Sequence, residues 1–332
     1  MTDTAEPLPG DQPVIPLGPG LEFDRIRRIL DRLGPIARGV GDDCAILPDG
    51  PGRLVVSVDL SIEGVHFRHD WLTLEEIGWR ATAAALSDLA AEGAATIGVL
   101  TSIGVPSVAT DDELTALMSG VGAAAHAAGG AVLGGDLTAS KRWVIDVTVL
   151  GRALRPVTRV GAAPGDGLWV TGTLGGARAA LHAWLAGGAP HPGARSAFAH
   201  PVPRIAAGQA LARAGAHAML DLSDGLGGDA EHLAAASGVA LEIDLDLVPV
   251  APAAIPTAVR EGISPALFAA QGGEDYELLA ALPADFDAAA AARLSGETGV
   301  ALTRIGAVHS GAGTRFLLAG VAVALMGHDH FR

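Results

Sequence analysis

Lysine is almost absent from the sequence. Of its 22 basic residues only Lys141 is a lysine, and the remaining 21 are arginines. A Walker A loop needs a Gly-Lys-Ser/Thr sequence, and a protein-kinase fold needs a strand lysine together with a glycine-rich loop. Lys141 lies in Ala-Ser-Lys-Arg and fits neither arrangement. The sequence therefore excludes both of these nucleotide-binding classes.

Cysteine is also scarce, since Cys44 is the only one in the chain. A single thiol allows no disulfide within the chain and no cysteine-rich zinc site. It agrees with a reducing compartment, and we expect the protein to be cytoplasmic. Residues 1–20 lack the basic and apolar regions of a signal peptide, and we expect them to form a mobile tail.

The sequence has no apolar run suited to a membrane span. The longest uncharged apolar run, residues 114–135, is rich in alanine and glycine, contains His126 and is broken at Gly129 and Gly130. Acidic residues outnumber basic ones by 37 to 22, and the net charge of −15 repels nucleic acid and anionic lipid. We therefore expect a soluble protein that binds neither nucleic acid nor membrane.

The overall composition is that of a globular protein, with 49% hydrophobic residues over 332 positions. At about 100 to 200 residues per domain, this length corresponds to two domains. Pro156 and the Ala163-Pro164-Gly165-Asp166 turn interrupt the pattern of helices and strands, which places the boundary there. The predicted division is a tail over 1–20, a first domain over 21–155 and a second domain over 156–332.

Hydrophobic periodicity predicts an α+β fold in both domains. Thr73 with Glu76, and Thr110 with Glu113, have the spacing of capping boxes, each of which marks the start of a helix. The predicted helices cover residues 21–33, 73–92, 110–128, 174–185, 204–214, 226–236 and 288–294. The predicted strands cover residues 54–58, 97–105, 131–133, 143–150, 168–171, 218–222, 240–243, 276–281, 301–307 and 321–325.

Several acidic residues stand beside apolar segments, where a solvated charge is unexpected. They are Asp42, Asp43, Asp59, Asp88, Asp136, Asp221 and Asp224. An ionised carboxylate that is buried without a partner is strongly destabilising, and a divalent metal is a simpler partner for so many acids than the few available cations. Oxygen ligands without a Cys or His cluster favour Mg²⁺ over zinc, and Mg²⁺ recruits substrate phosphates. The pattern therefore indicates phosphoryl chemistry.

Each of these residues also has a purely structural interpretation. Asp42 or Asp43 could form a turn, and Asp224 could be the N-cap of the helix that follows it. Asp88 could be a salt-bridge partner on its helix. The pair Gly134-Gly135 could serve a tight turn, or it could let backbone amides approach a phosphate. These alternatives stay open for each residue taken alone.

A series of short motifs runs through the chain in order. They are Gly-Asp-Asp-Cys-Ala at 41–45, Ser-Val-Asp at 57–59, Gly-Val-His-Phe at 64–67, Leu-Ser-Asp-Leu-Ala at 86–90, Gly-Gly-Asp at 134–136, Asp-Leu-Ser-Asp-Gly-Leu at 221–226, Gly-Gly-Glu-Asp-Tyr-Glu-Leu at 272–278 and Asp-His-Phe at 329–331. Any one of them is weak, but together the chain from 21 to 331 resembles the thiamine-monophosphate kinase family. The resemblance implies the two-domain architecture of aminoimidazole ribonucleotide synthetase. In that architecture an N-terminal mixed-sheet half-barrel binds ATP and metal and forms the dimer, and an α+β domain follows it.

The resemblance also implies an activity and a set of site residues. The activity is ATP- and Mg²⁺-dependent phosphorylation of thiamine monophosphate to thiamine diphosphate, by direct in-line transfer in a homodimer and without a covalent nucleophile. The implied ligands of several Mg²⁺ ions are Asp43, Ser57, the Val58 carbonyl, Asp59, Asp88, Asp136, Asp221 and Asp224. The implied ATP contacts are Gly135, Asp136, Arg159 and Ser223, and the implied contacts of thiamine monophosphate are His66 and Glu274. The family usually places an aromatic residue near the C-terminus against the substrate, whereas this chain reads Met326-Gly327-His328-Asp329-His330-Phe331.

Other interpretations are distinguished by particular residues. Selenophosphate synthetases need a reactive Cys or selenocysteine near the N-terminus, and the hydrogenase-maturation dehydratases end in a cysteine, so Cys44 suits neither. Aminoimidazole ribonucleotide synthetases carry an Asp-Gly-Val-Gly-Thr-Lys-like segment, where this chain has Asp59-Leu60-Ser61-Ile62-Glu63-Gly64. A metal-binding regulator without turnover is a further alternative. For His66, a half-buried structural role at a strand end is the alternative to substrate binding.

Overall fold

The computed structural model describes residues 21–37 and 50–325. The expectations for residues 1–20, for Asp42, Asp43 and Cys44, and for residues 326–331 lie outside these ranges. The chain divides into two compact units. Of the described residues, the first unit comprises those up to Leu89 together with Ala95–Leu154, and the second comprises Ala90–Ala94 together with those from Arg155 to Leu325.

A mixed four-stranded sheet of order β1-β4-β2-β3 forms the frame of the first unit. Its strands are β1 (Arg53–Ile62), β2 (Ala95–Pro106), β3 (Ala131–Ser140) and β4 (Val144–Ala153). Its helices are α1 (Leu21–Leu33), α2 (Leu74–Ala91) and α3 (Asp111–Ala127). β2 runs parallel to β3 and antiparallel to β4, so the prediction of a mixed sheet is confirmed.

Both predicted capping boxes are present. The Thr73 N–H donates to Glu76 Oε2 at 2.9 Å, and the Glu76 N–H donates to Thr73 Oγ1 at 3.2 Å. The same reciprocal pair joins Thr110 and Glu113 at the start of α3. Helices α2 and α3 pack closely at Gly120, which has no side chain. A Cβ on Gly120 would lie only 1.9 Å from a carbonyl oxygen of α2. Local sequence therefore fixes where both helices begin.

The two sides of β1 differ in chemistry, because alternate side chains of a strand point to opposite faces. Ser57 and Asp59 are half-buried, and Ser57 contacts α2. The apolar residues on the opposite face of β1 are exposed by 43% to 65%: Leu54, Val56, Val58 and Leu60. We refer to these four residues as the β1 strip. The β1 strip is therefore an exposed apolar surface, on a strand that lies at one edge of the sheet.

β3 is longer than the predicted strand at 131–133, because it continues to Ser140. The prediction ended at Leu133 because Gly134-Gly135 has the composition of a turn. In the structure both glycines lie within the strand, and Gly135 stands opposite Thr101 of β2. A Cβ on Gly135 would lie 2.1 Å from the Thr101 carbonyl oxygen. The tight-turn interpretation is therefore wrong, and close approach of β2 explains this glycine.

The second unit contains a seven-stranded sheet of order β11-β10-β7-β9-β5-β8-β6. Its strands are β5 (Gly167–Thr171), β6 (Ala218–Asp221), β7 (Ala240–Asp244), β8 (Leu278–Leu282), β9 (Leu302–His309), β10 (Gly313–Leu318) and β11 (Val321–Val323). Its helices are α4 (Gly176–Leu185), α5 (Pro192–Ala199), α6 (Ile205–Arg213), α7 (Leu226–Ser237), α8 (Ile255–Arg260), α9 (Pro265–Ala270) and α10 (Ala288–Thr298). The α+β prediction is confirmed. Among the described helices, none is long and apolar enough to cross a membrane.

Four elements of the second unit were not predicted: α5, α8, α9 and β10. The three helices have only six to eight residues and start at or next to a proline, so that periodicity has little length in which to show. β10 pairs in parallel with β7, more than 60 residues earlier in the chain, and this pairing is a tertiary property. Sequence periodicity therefore identified the longer helices, and it missed the three short helices that start at or next to a proline and the strand β10.

Candidate active site

In the first unit, the structure brings two predicted ligands together. The Ser57 hydroxyl, on β1, donates to Asp88 Oδ2, on α2, at 2.5 Å. Asp59 lies two residues along the same strand and therefore on the same face as Ser57. Val58 projects its side chain from the opposite face, in the β1 strip, so only its backbone carbonyl could take part. The α2 face of β1 thus carries hydroxyl and carboxylate oxygens, which suit a hard cation.

Asp136 is not brought to that face. It stands opposite Ser102 of β2, Ser102 stands opposite Asp146 of β4, and Asp146 stands opposite Leu60 of β1. Directly opposed residues of neighbouring strands share a face. The exposed Asp136 therefore lies on the side of the β1 strip. The metal and ATP roles of Asp136 remain predictions, and the geometry separates it from Ser57 and Asp88.

His66 has a structural contact at the end of β1. Its Nδ1 accepts the Ile62 N–H at 3.1 Å, four residues back in the chain. A ring nitrogen that accepts a backbone hydrogen bond carries no proton, so the neutral ring is protonated at Nε2. His66 is half-buried and precedes the buried Phe67. This hydrogen bond agrees with the structural interpretation of His66, and its contact with substrate stays a prediction.

In the second unit, a loop of acidic residues joins β6 to α7. Asp221 is the last residue of β6 and is 5% exposed, and Asp224 follows in the loop. The N-cap of α7 is Gly225, at φ +97°, so the interpretation of Asp224 as the N-cap is wrong. Instead, the Asp224 N–H donates to Asp229 Oδ2 at 3.1 Å, from the first turn of α7. The loop is therefore closed by a third aspartate, which the sequence analysis did not single out.

The three aspartates repel one another. Burial, followed by the charges of Asp221 and Asp224, raises the pKa of Asp229 to about 8, although the Asp224 N–H and the Arg159 guanidinium oppose the shift. A cluster of carboxylates with too little compensating positive charge fits a divalent cation. Within residues 21–37 and 50–325, however, no three metal-binding side chains converge closely enough to hold an ion. The donor chemistry suits Mg²⁺, and a complete set of ligands is not assembled by the described residues.

Arg159 and Ser223, two predicted ATP contacts, lie in the same region of the second unit. The Arg159 side chain is exposed, and its carbonyl accepts the Ser237 hydroxyl of α7 at 2.8 Å. Ser237 Oγ also accepts the Gly161 N–H at 3.2 Å, which fixes the backbone that follows Arg159. Since Arg159 acts on the pKa of Asp229, its positive charge is directed at the acidic loop.

The predicted substrate residue Glu274 lies against the same loop. Its N–H donates to the Ser223 carbonyl at 2.7 Å, and the Tyr276 N–H donates to the Leu222 carbonyl at 2.9 Å. The contact is too close for side chains, because a Cβ on Gly273 would lie 2.6 Å from the Ser223 oxygen. Backbone hydrogen bonds and close approach therefore join the acidic loop to the Gly-Gly-Glu-Asp-Tyr-Glu segment.

The chain is similar in sequence and fold to several known proteins. Residues 41–153 match the family described as AIR synthase related protein, N-terminal domain, and residues 163–318 match its C-terminal domain. The curated thiamine-monophosphate kinase of Mycobacterium tuberculosis is 35% identical over 286 residues, which cover 84% of this chain and 85% of the relative. The solved structure of AaThiL complexed with AMPPCP and TMP is 31% identical, has a TM-score of 0.75, and matches over 84% of this chain and 87% of that one. Hydrogenase maturation protein HypE in complex with ATP has a TM-score of 0.79 at 22% identity, over 94% of this chain and 96% of that one, a likeness that shows the fold alone.

Proposed function

Because the chain belongs to the thiamine-monophosphate kinase family, we propose that it transfers the γ-phosphoryl group of ATP to the phosphate of thiamine monophosphate, giving thiamine diphosphate and ADP. The structure of AaThiL with AMPPCP, an analogue of ATP, and TMP supports this pair of substrates. The single observation of this structure that carries the proposal is the pairing of the acidic loop with the Glu274 segment. That pairing puts metal-binding oxygens next to a residue suited to an organic cation.

The two substrates are both anions at their reacting ends, so the site must compensate negative charge. In this proposal Mg²⁺, when bound, neutralises the phosphates and polarises the transferred group. Several Mg²⁺ ions are proposed. The ligands in the first unit would be Ser57, Asp59, Asp88 and the Val58 carbonyl, and Asp43 and Asp136 are further predicted ligands. The ligands in the second unit would be Asp221 and Asp224. The carboxylates thus hold charge in place, and none of them acts as a nucleophile.

The remaining residues orient the two substrates. Arg159, Ser223, Gly135 and Asp136 contact ATP in this proposal, and the exposed guanidinium of Arg159 suits phosphate oxygens. Glu274 faces the cationic end of thiamine monophosphate, and His66 contributes its Nε2. The accepting phosphate oxygen is already ionised near neutral pH, so the transfer needs no general base. Positioning of the two phosphates in line is then the main contribution of the protein.

We also propose a homodimer in which the β1 strip of one chain faces that of a second. The strip exposes four apolar side chains on an edge strand. Such an edge, left uncovered, favours association with other chains. Charged substitution in the strip, such as Val56→Asp, is expected to give monomers in light scattering after gel filtration. An unchanged molar mass would contradict this interface. The cytoplasmic location stays a prediction.

A coupled assay with two acceptors tests the proposed function. ADP formation is measured with ATP and Mg²⁺, and with either thiamine monophosphate or the amidine substrate of the purine-pathway synthetase as the second substrate. We expect ADP only with thiamine monophosphate, and a chelator such as EDTA should abolish it. ADP with the amidine alone would favour the purine enzyme. Binding of ATP without turnover on either acceptor would favour the metal-binding regulator.

A further inference from the structure

The segment that carries Glu274 has an unusual backbone. Glu274 and Tyr276 have φ angles of 66° and 51°, in the left-handed region that residues other than glycine rarely adopt. Within the described ranges, Ala319 is the only other non-glycine residue with a positive φ. Such conformations persist only where the surrounding structure enforces them. Contacts on either side of Asp275, the residue between the two, must therefore hold this segment.

On one side, the backbone of the segment is held by the acidic loop. The hydrogen bonds from the Glu274 N–H to the Ser223 carbonyl and from the Tyr276 N–H to the Leu222 carbonyl fix the residues before and after Asp275. In return, the Leu222 N–H donates to the Glu277 carbonyl at 2.7 Å. These bonds set the distance between the two loops. They leave the Asp275 side chain to contact another element.

On the other side, Asp275 caps helix α4. Its Oδ2 accepts the Gly175 N–H at 2.8 Å, and its carboxyl group also accepts the Ala177 N–H. The N-cap position of α4 is Gly175, which has no side chain with which to cap the helix. Asp275, 100 residues further along the chain, thus supplies the oxygens that free amides at a helix start require.

The capping contact is closely enclosed. Asp275 as a whole is half-buried, but its carboxyl group is shielded from water. This desolvation raises the pKa of the carboxyl group well above the usual value. The hydrogen bonds from Gly175 and Ala177 oppose that rise. An asparagine at this position keeps one acceptor oxygen, and an alanine keeps none. The two substitutions therefore differ in how much of the cap they retain.

We propose that Asp275 is a positioning residue, which anchors the strained segment to the start of α4 and thereby fixes Glu274 for thiamine monophosphate. The proposal rests on the proposed function for its substrate, but its geometry is independent of it. Asp275 lies at the junction of three elements, namely α4, the acidic loop and its own segment. The cap therefore fixes, from the α4 side, the residue that directly follows Glu274 in the chain.

The test compares Asp275→Ala and Asp275→Asn with a matched cap elsewhere in the same unit. Asp287 Oδ1 accepts the Ala290 N–H at 2.8 Å at the start of α10, so Asp287→Ala removes the same kind of contact from another helix. We expect Asp275→Ala to raise the KM for thiamine monophosphate about tenfold or more, with the KM for ATP changed by less than about twofold. Asp275→Asn should restore most of the loss, and Asp287→Ala should leave both constants unchanged.

A second readout does not depend on substrate. Hydrogen exchange of the Glu274 and Tyr276 amides should become at least about tenfold faster in Asp275→Ala and stay unchanged in Asp287→Ala. Unchanged exchange would overturn the anchoring role, whatever the activity. Faster exchange with an unchanged KM for thiamine monophosphate, in a wild type that turns over, would overturn the link to Glu274. A wild type without turnover would instead contradict the proposed function, and exchange would still decide the anchoring role.

Discussion

Arg204 holds Glu277 through two hydrogen bonds, with Nε donating to Oε2 at 2.8 Å and Nη2 donating to Oε1 at 2.6 Å. Glu277 is 3% exposed, and its Oε2 also accepts the Thr171 hydroxyl at 2.6 Å. Arg204 therefore compensates the buried charge of Glu277, at the point where the Glu274 segment enters β8. The motif that carries the proposed substrate contact is anchored at this end by an ion pair.

Removal of Arg204 should destabilise the protein, because it leaves the Glu277 carboxylate buried without the positive charge that compensates it. We expect Arg204→Met to lower the free energy of unfolding by about 3 kcal/mol, measured by urea denaturation. Arg213→Met is the control, since Arg213 pairs with Glu297 where both side chains are exposed by about 60%. That surface pair should contribute less than about 1 kcal/mol. Equal losses in the two variants would show that the burial of Glu277 has no energetic role.

Replacement of Asp88 tests the metal-binding role of the first unit. Asp88→Asn keeps an acceptor for the Ser57 hydroxyl but removes the charge, so the fold should survive while kcat falls by about two orders of magnitude. The melting temperature should stay the same or rise in metal-free buffer, because charge repulsion is relieved. Asp70→Asn, at an exposed residue paired with Arg68, is the control and should keep wild-type activity. Full activity in Asp88→Asn would exclude Asp88 as a ligand.

The pKa of Asp229 predicts how stability depends on pH. The folded pKa of about 8 lies above the ordinary value of 3.8, so the folded state binds more protons between these limits. The contribution of Asp229 to stability should therefore fall as pH rises from about 4 to about 8, by up to about 1.4 kcal/mol per pH unit. Asp229→Asn stays neutral and should lose this dependence in urea denaturation with EDTA present. A slope equal to that of the wild type would refute the shifted pKa.

Glu274 and Arg159 should affect different substrates. Glu274→Gln should raise the KM for thiamine monophosphate about tenfold and leave that for ATP nearly unchanged, because the carboxylate faces the organic cation. Arg159→Ala should do the reverse, because a guanidinium matches phosphate oxygens. Initial rates with one substrate varied at a time give both constants. If both variants changed both constants equally, the proposed division between the two substrates would be wrong.

Local signals in the sequence were sufficient for the elements that local interactions determine. The capping boxes at Thr73 and Thr110 lie where spacing predicts them, because each needs only residues three positions apart. The extent of β3 was missed, since a glycine pair resembles a turn until β2 is seen against Gly135. Periodicity and spacing thus identified the α+β class and most of the elements, and the resemblance to a family implied the architecture. The exceptions depend on partners that are distant in the chain.

The same difference between local interactions and partners distant in the chain applies to the candidate site. The motif that includes Ser223 and Asp224 could be singled out because the acids stand beside an apolar strand. Asp229 was missed because a single aspartate in the first turn of a helix is commonplace, and only its hydrogen bond to the Asp224 N–H gives it a role. The anchor at Asp275 was also invisible, since its partner Gly175 lies 100 residues away. Sequence therefore indicated the chemistry, and the structure identified the supports around it.

Transfer of a radioactive label from ATP to thiamine monophosphate is the direct test of the proposed kinase activity. The purified protein is incubated with ATP labelled at the γ-phosphate, Mg²⁺ and unlabelled thiamine monophosphate, and the products are separated by chromatography. We expect the label to appear in thiamine diphosphate, in amounts equal to the ADP formed, and we expect EDTA to prevent its transfer. Label found only in inorganic phosphate, or retained in ATP while the protein binds both substrates, would contradict the proposed activity.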